Sequence, residues 1–255
     1  MKKITLLFLA TLILFSCSSD DPLTDNGGNS KPQRRIAKIE KLYSENSYNY
    51  SSTEIFTYDN QGRWIRSDYS ANDNYLNVNH ISTLSYSGNT IRYSGDNFEE
   101  DVFELKNNII VSRGDNPRLD DYHYSNNYLT QIGIGTYANF EYTNGNLTKV
   151  IEGKGESHED IYNIAYTDYP DKMGFCAYEV SYNDTAIEVN PANILYQFGY
   201  FGKKSKNLIE SIDSTWGDKI YYSYEFDNQG YVTKIIERYV YQGKTETTTY
   251  KIYYE

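Results

Sequence analysis

The run Leu14-Phe15-Ser16-Cys17 closes an apolar stretch, Ile4 to Phe15, that follows Lys2 and Lys3. A thiol in this setting is a substrate for lipid modification. It takes a diacylglyceryl group as a thioether. A peptidase that needs a small preceding residue, here Ser16, then cuts before Cys17, and the freed amine can take a further acyl chain such as palmitate. The apolar run is too short to span a bilayer as a stable helix. It reads as a lipoprotein signal peptide over residues 1–16, with Cys17 as the attachment site. One acyl chain anchors only marginally, whereas two or three hold on the timescale of a cell.

No other constellation carries a defined reaction. Of the three histidines, His80, His123 and His158, none has a second His or Cys at ligand spacing. His158-Glu159-Asp160 reads as a solvated strand start rather than a metal site, and His123, between Tyr122 and Tyr124, as a cross-strand partner. Acids cluster at Glu99-Glu100-Asp101 and from Asp115 to Asp121 without the spacing of a calcium loop. No nucleophile elbow, phosphate loop or dinucleotide fingerprint is present. Arg113-Gly114-Asp115 spells an adhesive tripeptide that arises easily by chance. With Cys17 consumed by lipid, Cys176 is alone, so no intramolecular disulfide or Cys-based metal site follows; it reads as a small buried hydrophobe. The sequence implies no cofactor, no metal and no enzyme. Trp64 and Trp216 each follow a turn, and each is either a core anchor or a ring exposed at a rim for a ligand.

Composition narrows the partners. The chain has 255 residues and a net charge of −11, with Lys and Arg scattered. A nucleic-acid partner needs a basic patch, so that class is excluded. The acidity serves solubility, or marks a surface for cations. Tyr, at 29 against 10 Phe, is in excess. Its ring packs on a half-buried pleated face while its hydroxyl stays wet, which suits stacking on sugars or peptides as well as cross-strand pairing. After Cys17 comes Ser18 rather than Asp, which by the rule for Gram-negative lipoproteins directs the chain to the outer membrane. The stretch Ser18-Ser19-Asp20-Asp21 resembles the acidic signal that exports lipoproteins to the outer face; the alternative is a periplasm-facing protein. Residues 17–34 read as a lipidated flexible tether.

The elements that must position any site are hairpins. A unit of aromatic-x-aromatic, an Asn/Gly turn and an aliphatic residue recurs. Copies include Phe56-Thr57-Tyr58-Asp59-Asn60-Gln61-Gly62-Arg63-Trp64, Tyr224 to Val232 and Phe140 to Leu147. Anchors at Tyr86, Leu105, Tyr124 and Tyr142 are 19, 19 and 18 residues apart, the length of two strands and two short turns. Period-2 alternation runs through Ile220-Tyr222-Tyr224-Phe226, Tyr250-Ile252-Tyr254 and Ile194-Tyr196-Phe198-Tyr200, which predicts strands in all three. Leu129-x-x-Ile132 and Leu147-x-x-Val150 break the alternation, so either those strands are buried on both faces or bulges intervene. The expectation for residues 35–255 is one all-β domain, an antiparallel up-and-down meander of about 14 to 20 strands. Such a meander curls into a sheet or barrel to hide its edges.

Tyr58-Asp59-Asn60-Gln61-Gly62-Arg63 and Phe226-Asp227-Asn228-Gln229-Gly230-Tyr231 resemble the tyrosine-aspartate (YD, Rhs) repeat, though the other copies lack its Asp. With the lipobox, the whole pattern more closely resembles an uncharacterised family of Bacteroidota-type lipoproteins described as a domain of unknown function with a porin-like fold. The resemblance implies a many-stranded antiparallel barrel and no activity. A pore needs an apolar band toward lipid, yet both strand faces here carry charges, so the barrel is expected to be water-soluble. The functional expectation is a lipid-anchored envelope protein that binds a glycan, peptide or protein at the cell surface. A purely structural envelope role and a glycan-processing hydrolase are the alternatives.

Overall fold

Asparagine sets the turns. Asn107-Asn108 (φ 55° and 61°) and Asn126-Asn127 (51° and 65°) are left-handed at both positions, as is Asn144-Gly145. Two consecutive left-handed residues make the hairpin turn whose twist matches the flanking strands, and Asn tolerates that conformation because its short side chain bonds locally. The computed structural model describes residues 34–45, 48–72, 77–96, 98–114, 121–133, 138–172, 195–196 and 198–255; Cys17 and Cys176 lie outside them. Residues 34–255 form one compact unit.

Sixteen strands follow among the described residues: β1 (Ile36–Glu45), β2 (Tyr48–Tyr58), β3 (Trp64–Asn72), β4 (Asn77–Ser87), β5 (Thr90–Gly95), β6 (Phe98–Lys106), β7 (Ile109–Arg113), β8 (Tyr122–Ser125), β9 (Tyr128–Ile132), β10 (Ala138–Thr143), β11 (Asn146–Glu152), β12 (Asp160–Pro170), β13 (Asn207–Ser214), β14 (Lys219–Phe226), β15 (Val232–Tyr241) and β16 (Lys244–Tyr254). Every consecutive pair except β7 and β8 is antiparallel, and β1 also pairs with β16 through Ile39↔Ile252 and Lys41↔Tyr250. The meander therefore curls into a nearly closed barrel. At the one incomplete junction, β7 and β8 share an isolated bridge, Ser112↔Asp121. There the Tyr124 hydroxyl donates to the Ile110 carbonyl (2.7 Å) and the Ile110 amide donates to the Tyr200 carbonyl (2.8 Å).

The broken alternation is resolved by bulges. Tyr142 opposes Leu147 while Glu141 opposes Lys149, leaving Thr148 as the extra residue. Tyr124 opposes Leu129 while His123 opposes Gln131, leaving Thr130. The same irregularity falls at Ile65, Val111, Glu210 and Thr233. An extra residue turns both Leu147 and Val150 inward, and Ile151 on the opposite face of β11 is buried as well. The threonines seal the site: Thr130, Thr148 and Thr233 donate their hydroxyls to the facing carbonyls of His123, Glu141 and Glu225.

A second device accounts for part of the tyrosine excess. Near the ends of β2, β4, β8, β14 and β16, Tyr58, Tyr86, Tyr124, Tyr224 and Tyr254 donate to the carbonyls of Ile36, Trp64, Ile110, Ile209 and Val232 at 2.6–2.9 Å. Each acceptor lies at a register irregularity of the preceding odd-numbered strand. The phenols thus stitch one hairpin to the one before it. Burial raises the pKa of Tyr58, Tyr86, Tyr124 and Tyr254 well above the usual phenol value.

Inward side chains nearest these latches form one apolar cluster, including Phe56, Ile91, Phe103, Leu147, Ile235 and Ile252. Trp64 belongs to it at 0% exposure, near Phe56 and Tyr93, with its indole N–H on the Arg66 carbonyl. It is a core anchor and not a ligand contact. The β12–β13 connection closes this end. The strand expected through Tyr196, Phe198 and Tyr200 is not formed: residues 198–201 turn, and Leu195, Tyr196 and Phe201 are buried as a plug, while Ile194 lies outside the described residues. Apolar packing against the barrel end outweighs strand pairing there. Phe198 meets Tyr58, Tyr200 stacks on Tyr86 and Phe201 packs on Tyr122. Gly202 passes the β8–β9 turn at φ +80°, where a Cβ would sit 2.3 Å from the Asn127 carbonyl oxygen.

Candidate functional site

Toward the other end the inner wall changes character. On β2 the inward sequence runs Phe56, Glu54, Ser52, Tyr50; on β4 it runs Leu84, Ser82, His80. On β15 it runs Ile235, Glu237, Tyr239, Tyr241, and on β16 Ile252, Tyr250, Thr248, Glu246. The apolar layer gives way to buried hydroxyls and carboxyls, including Ser52, Glu54, Ser67, Ser82, Glu237 and Thr248. Above them the inward residues Tyr50, Tyr69, His80, Tyr239 and Glu246 are half-buried, and Tyr241 is 41% exposed. This graded mouth is the candidate site. The strands build it by register alone, since Glu54 opposes Tyr69 and Tyr69 opposes His80 on adjacent strands.

Glu54 stands at the floor with 5% exposure. Burial pushes its pKa up to about 8, only partly offset by the Ser67 hydroxyl beside it, so the carboxyl is neutral at pH 7. The Tyr69 and His80 rings stack above it at 4.4 Å between centroids and 27° between planes. The Tyr50 and Tyr69 hydroxyls share a short hydrogen bond, and burial, followed by that bond, raises the Tyr69 pKa. Tyr93 donates to Ser82 at 3.1 Å. Lys41 also faces inward, its ammonium 6.0 Å from the Tyr50 ring centre and 5.7 Å from that of Tyr250. Across the mouth, burial and then the adjacent Asp160 raise Glu152 to about 7. Burial, followed by Glu152, Asp160 and Asp218, raises Tyr162 to about 12.

The residues singled out from sequence fall in scattered places. Trp216 is 66% exposed at the tip of the Ser214–Asp218 turn, on the mouth end of the barrel. His123 faces outward opposite Gln131 on β9. His158 and Glu159 precede β12, which starts at Asp160. Arg113 pairs with Asp101 at 2.8 Å, and Glu100 pairs with Arg92; Asp115 lies outside the described residues. Among the described residues no group of three or more His, Cys, Asp and Glu side chains is arranged to hold a metal ion. Sequence reasoning missed Glu54 and Tyr69, and weighed His80 only as a metal ligand. A Glu flanked by alternating inward positions, Ser52 and Phe56, was the available signal.

The outer faces carry Thr245, Thr247, Thr249 and Lys251 on β16 and Lys219, Ser223 and Glu225 on β14. A membrane-spanning barrel has an apolar outer band around a polar lumen, so the polarity here is reversed through the plugged half.

A family model described as a domain of unknown function (DUF4595) with porin-like fold matches residues 56–234. Among solved structures, a porin-like protein from Bacteroides uniformis shares the fold with a TM-score of 0.64, covering 86% of this chain and 96% of that one at 14% identity. No curated protein matches the sequence.

Proposed function

Because the chain belongs to the DUF4595 family of domains with a porin-like fold, we propose its function from the geometry of that fold: a lipid-anchored envelope protein that takes a ligand in the open mouth of its barrel. The observation that carries this reading is the graded inner wall. Apolar packing and a plug close one end, while the other offers buried hydroxyls and a neutral carboxyl beneath half-exposed aromatic rings. Barrel mouths with a few convergent polar groups are the usual place for a small ligand. The role is binding, not catalysis.

The start of the described domain lies at the end opposite the mouth. The described chain begins at Arg34, which pairs with Asp227 and lies over the Tyr231 and Tyr254 rings, all at the plugged end. In this reading a lipid on Cys17 reaches the domain through Arg34, at the end away from the mouth.

Two measurements test the reading. Palmitate labelling of cells expressing the wild type and Cys17→Ala should mark only the former. Glycan arrays and cell-surface crosslinking with the full chain should recover a ligand whose capture falls in Tyr69→Ala. Silence in both binding assays overturns the reading. A structural envelope role is the second reading, favoured by the five tyrosine latches, which serve the sheet itself. Under it, aromatic substitutions lower stability and change no binding.

A further inference from the structure

The walls around Glu54 differ from those across the mouth. Three neighbouring strands contribute four hydroxyl or carboxyl groups within one patch: Ser52 and Glu54 from β2, Ser67 from β3 and Ser82 from β4. Directly beside them the Tyr69 and His80 rings lie nearly parallel, half-exposed, on β3 and β4. Small hydroxyls that both donate and accept, next to a flat ring pair, match the surface of a pyranose. One edge of a sugar is a row of hydroxyls and its face is a sheet of C–H groups.

The charge around the patch selects further. Lys41 faces the chamber from β1 while Glu237 and Glu246 line the wall on β15 and β16, so the wall is of mixed sign and offers no single-signed surface to a charged group. We infer that the mouth, read as the ligand site above, takes an uncharged saccharide, with its ring on the Tyr69–His80 pair and its hydroxyls on Glu54, Ser52 and Ser82. This inference rests on the proposed binding role.

Glu54 supplies a signature. As a neutral carboxyl it both donates and accepts; once ionised it only accepts. The titratable groups facing it are Lys41, Tyr50, Tyr69, His80 and Tyr93. Burial holds the Tyr69 and Tyr93 hydroxyls above the usual phenol value, so a fall in binding between pH 7 and 9 that disappears in Glu54→Gln reports Glu54.

The experiment is calorimetric titration of the full chain, in a detergent without a sugar head group, with neutral, uronate-bearing and amino-bearing oligosaccharides. Neutral oligosaccharides should bind, with affinity falling about tenfold from pH 7 to pH 9. Glu54→Gln should weaken binding at pH 7 and abolish its pH dependence, with the same affinity at pH 7 and pH 9. Tyr69→Ala should lose at least about tenfold while melting cooperatively. Preference for a uronate or amino sugar, still weakened in Tyr69→Ala, overturns the uncharged class and leaves the mouth as the site. Saccharide binding indifferent to Tyr69→Ala overturns both. Absence of any saccharide binding overturns the class, and crosslinked partners that depend on Tyr69 then tell whether the mouth is still used.

Discussion

Replacing Tyr224 by Phe removes one oxygen from the barrel. Its hydroxyl donates to the Ile209 carbonyl at 2.7 Å, across from β14 to β13, at the residue ahead of the bulged Glu210. A made hydrogen bond is worth about 1 kcal/mol net, but a buried acceptor left without its donor costs about 1–3 kcal/mol. Phe preserves the ring packing, so the loss should be the polar part alone, about 2 kcal/mol. For a unit spanning residues 34–255, about 2.1 cal/mol/K per residue gives an unfolding entropy of about 0.5 kcal/mol/K, so Tm should drop by about 4 °C. The assay is thermal unfolding followed by near-UV circular dichroism, with Tyr253→Phe as control. The Tyr253 hydroxyl reaches Glu40 at 2.8 Å on the exposed outer face, and its loss should leave melting unchanged. Tyr58→Phe, at a separate latch, should add its cost independently in the double variant. If Tyr224→Phe melts with the control, the latches contribute nothing and the account of the tyrosine excess fails.

Other expectations follow from single groups. Glu54 is raised from 4.5 to about 8 by burial, so the folded state holds a proton that the unfolded state releases. Its contribution is full below about 4.5 and is lost as pH rises to about 8, at up to about 1.4 kcal/mol per pH unit. Urea denaturation at pH 6 and 8 should show that slope flattened in Glu54→Gln, with the variant the more stable at pH 8. The latch phenols have raised pKa values, so their stabilisation is present below pH 10 and disappears above it as unfolded tyrosines ionise; alkaline titration should unfold the chain cooperatively above about pH 10. Trp64→Ala should cost about 3–5 kcal/mol in denaturant melts, whereas Trp216→Ala should change stability little. Gly202→Ala drives a Cβ into the Asn127 carbonyl, while Gly243→Ala meets nothing within 4 Å; both are strained by positive φ, and Gly202→Ala should be the more destabilising by fluorescence-monitored unfolding.

The hairpins were legible because two signals agree. Alternation in Ile220-Tyr222-Tyr224-Phe226 predicts a strand, and Asn144-Gly145 predicts its punctuation. The three-residue step from Leu147 to Val150 left two options open, and pairing chose the bulge. The latches were not legible, because the acceptor of Tyr124 is a backbone carbonyl, and carbonyls carry no sequence signal. The same holds for the plug: Tyr196 and Phe198 alternate as strand residues do, and only the neighbouring turns reveal a cap. Of the mouth, Glu54 was written in the chain, yet its role depends on Tyr69 and His80, which arrive through cross-strand register.

The pairing of β1 with β16 joins segments made at the start and finish of the domain, with Ile36 opposite Tyr254. Neighbouring hairpins can form as the polypeptide emerges, since their contacts are short-range. The ring cannot close until the segment from Lys244 onward has been delivered, and before then both β1 and β15 present raw edges. A product stopped short of Lys244 therefore keeps two unpaired strand flanks, each a template for pairing with another chain.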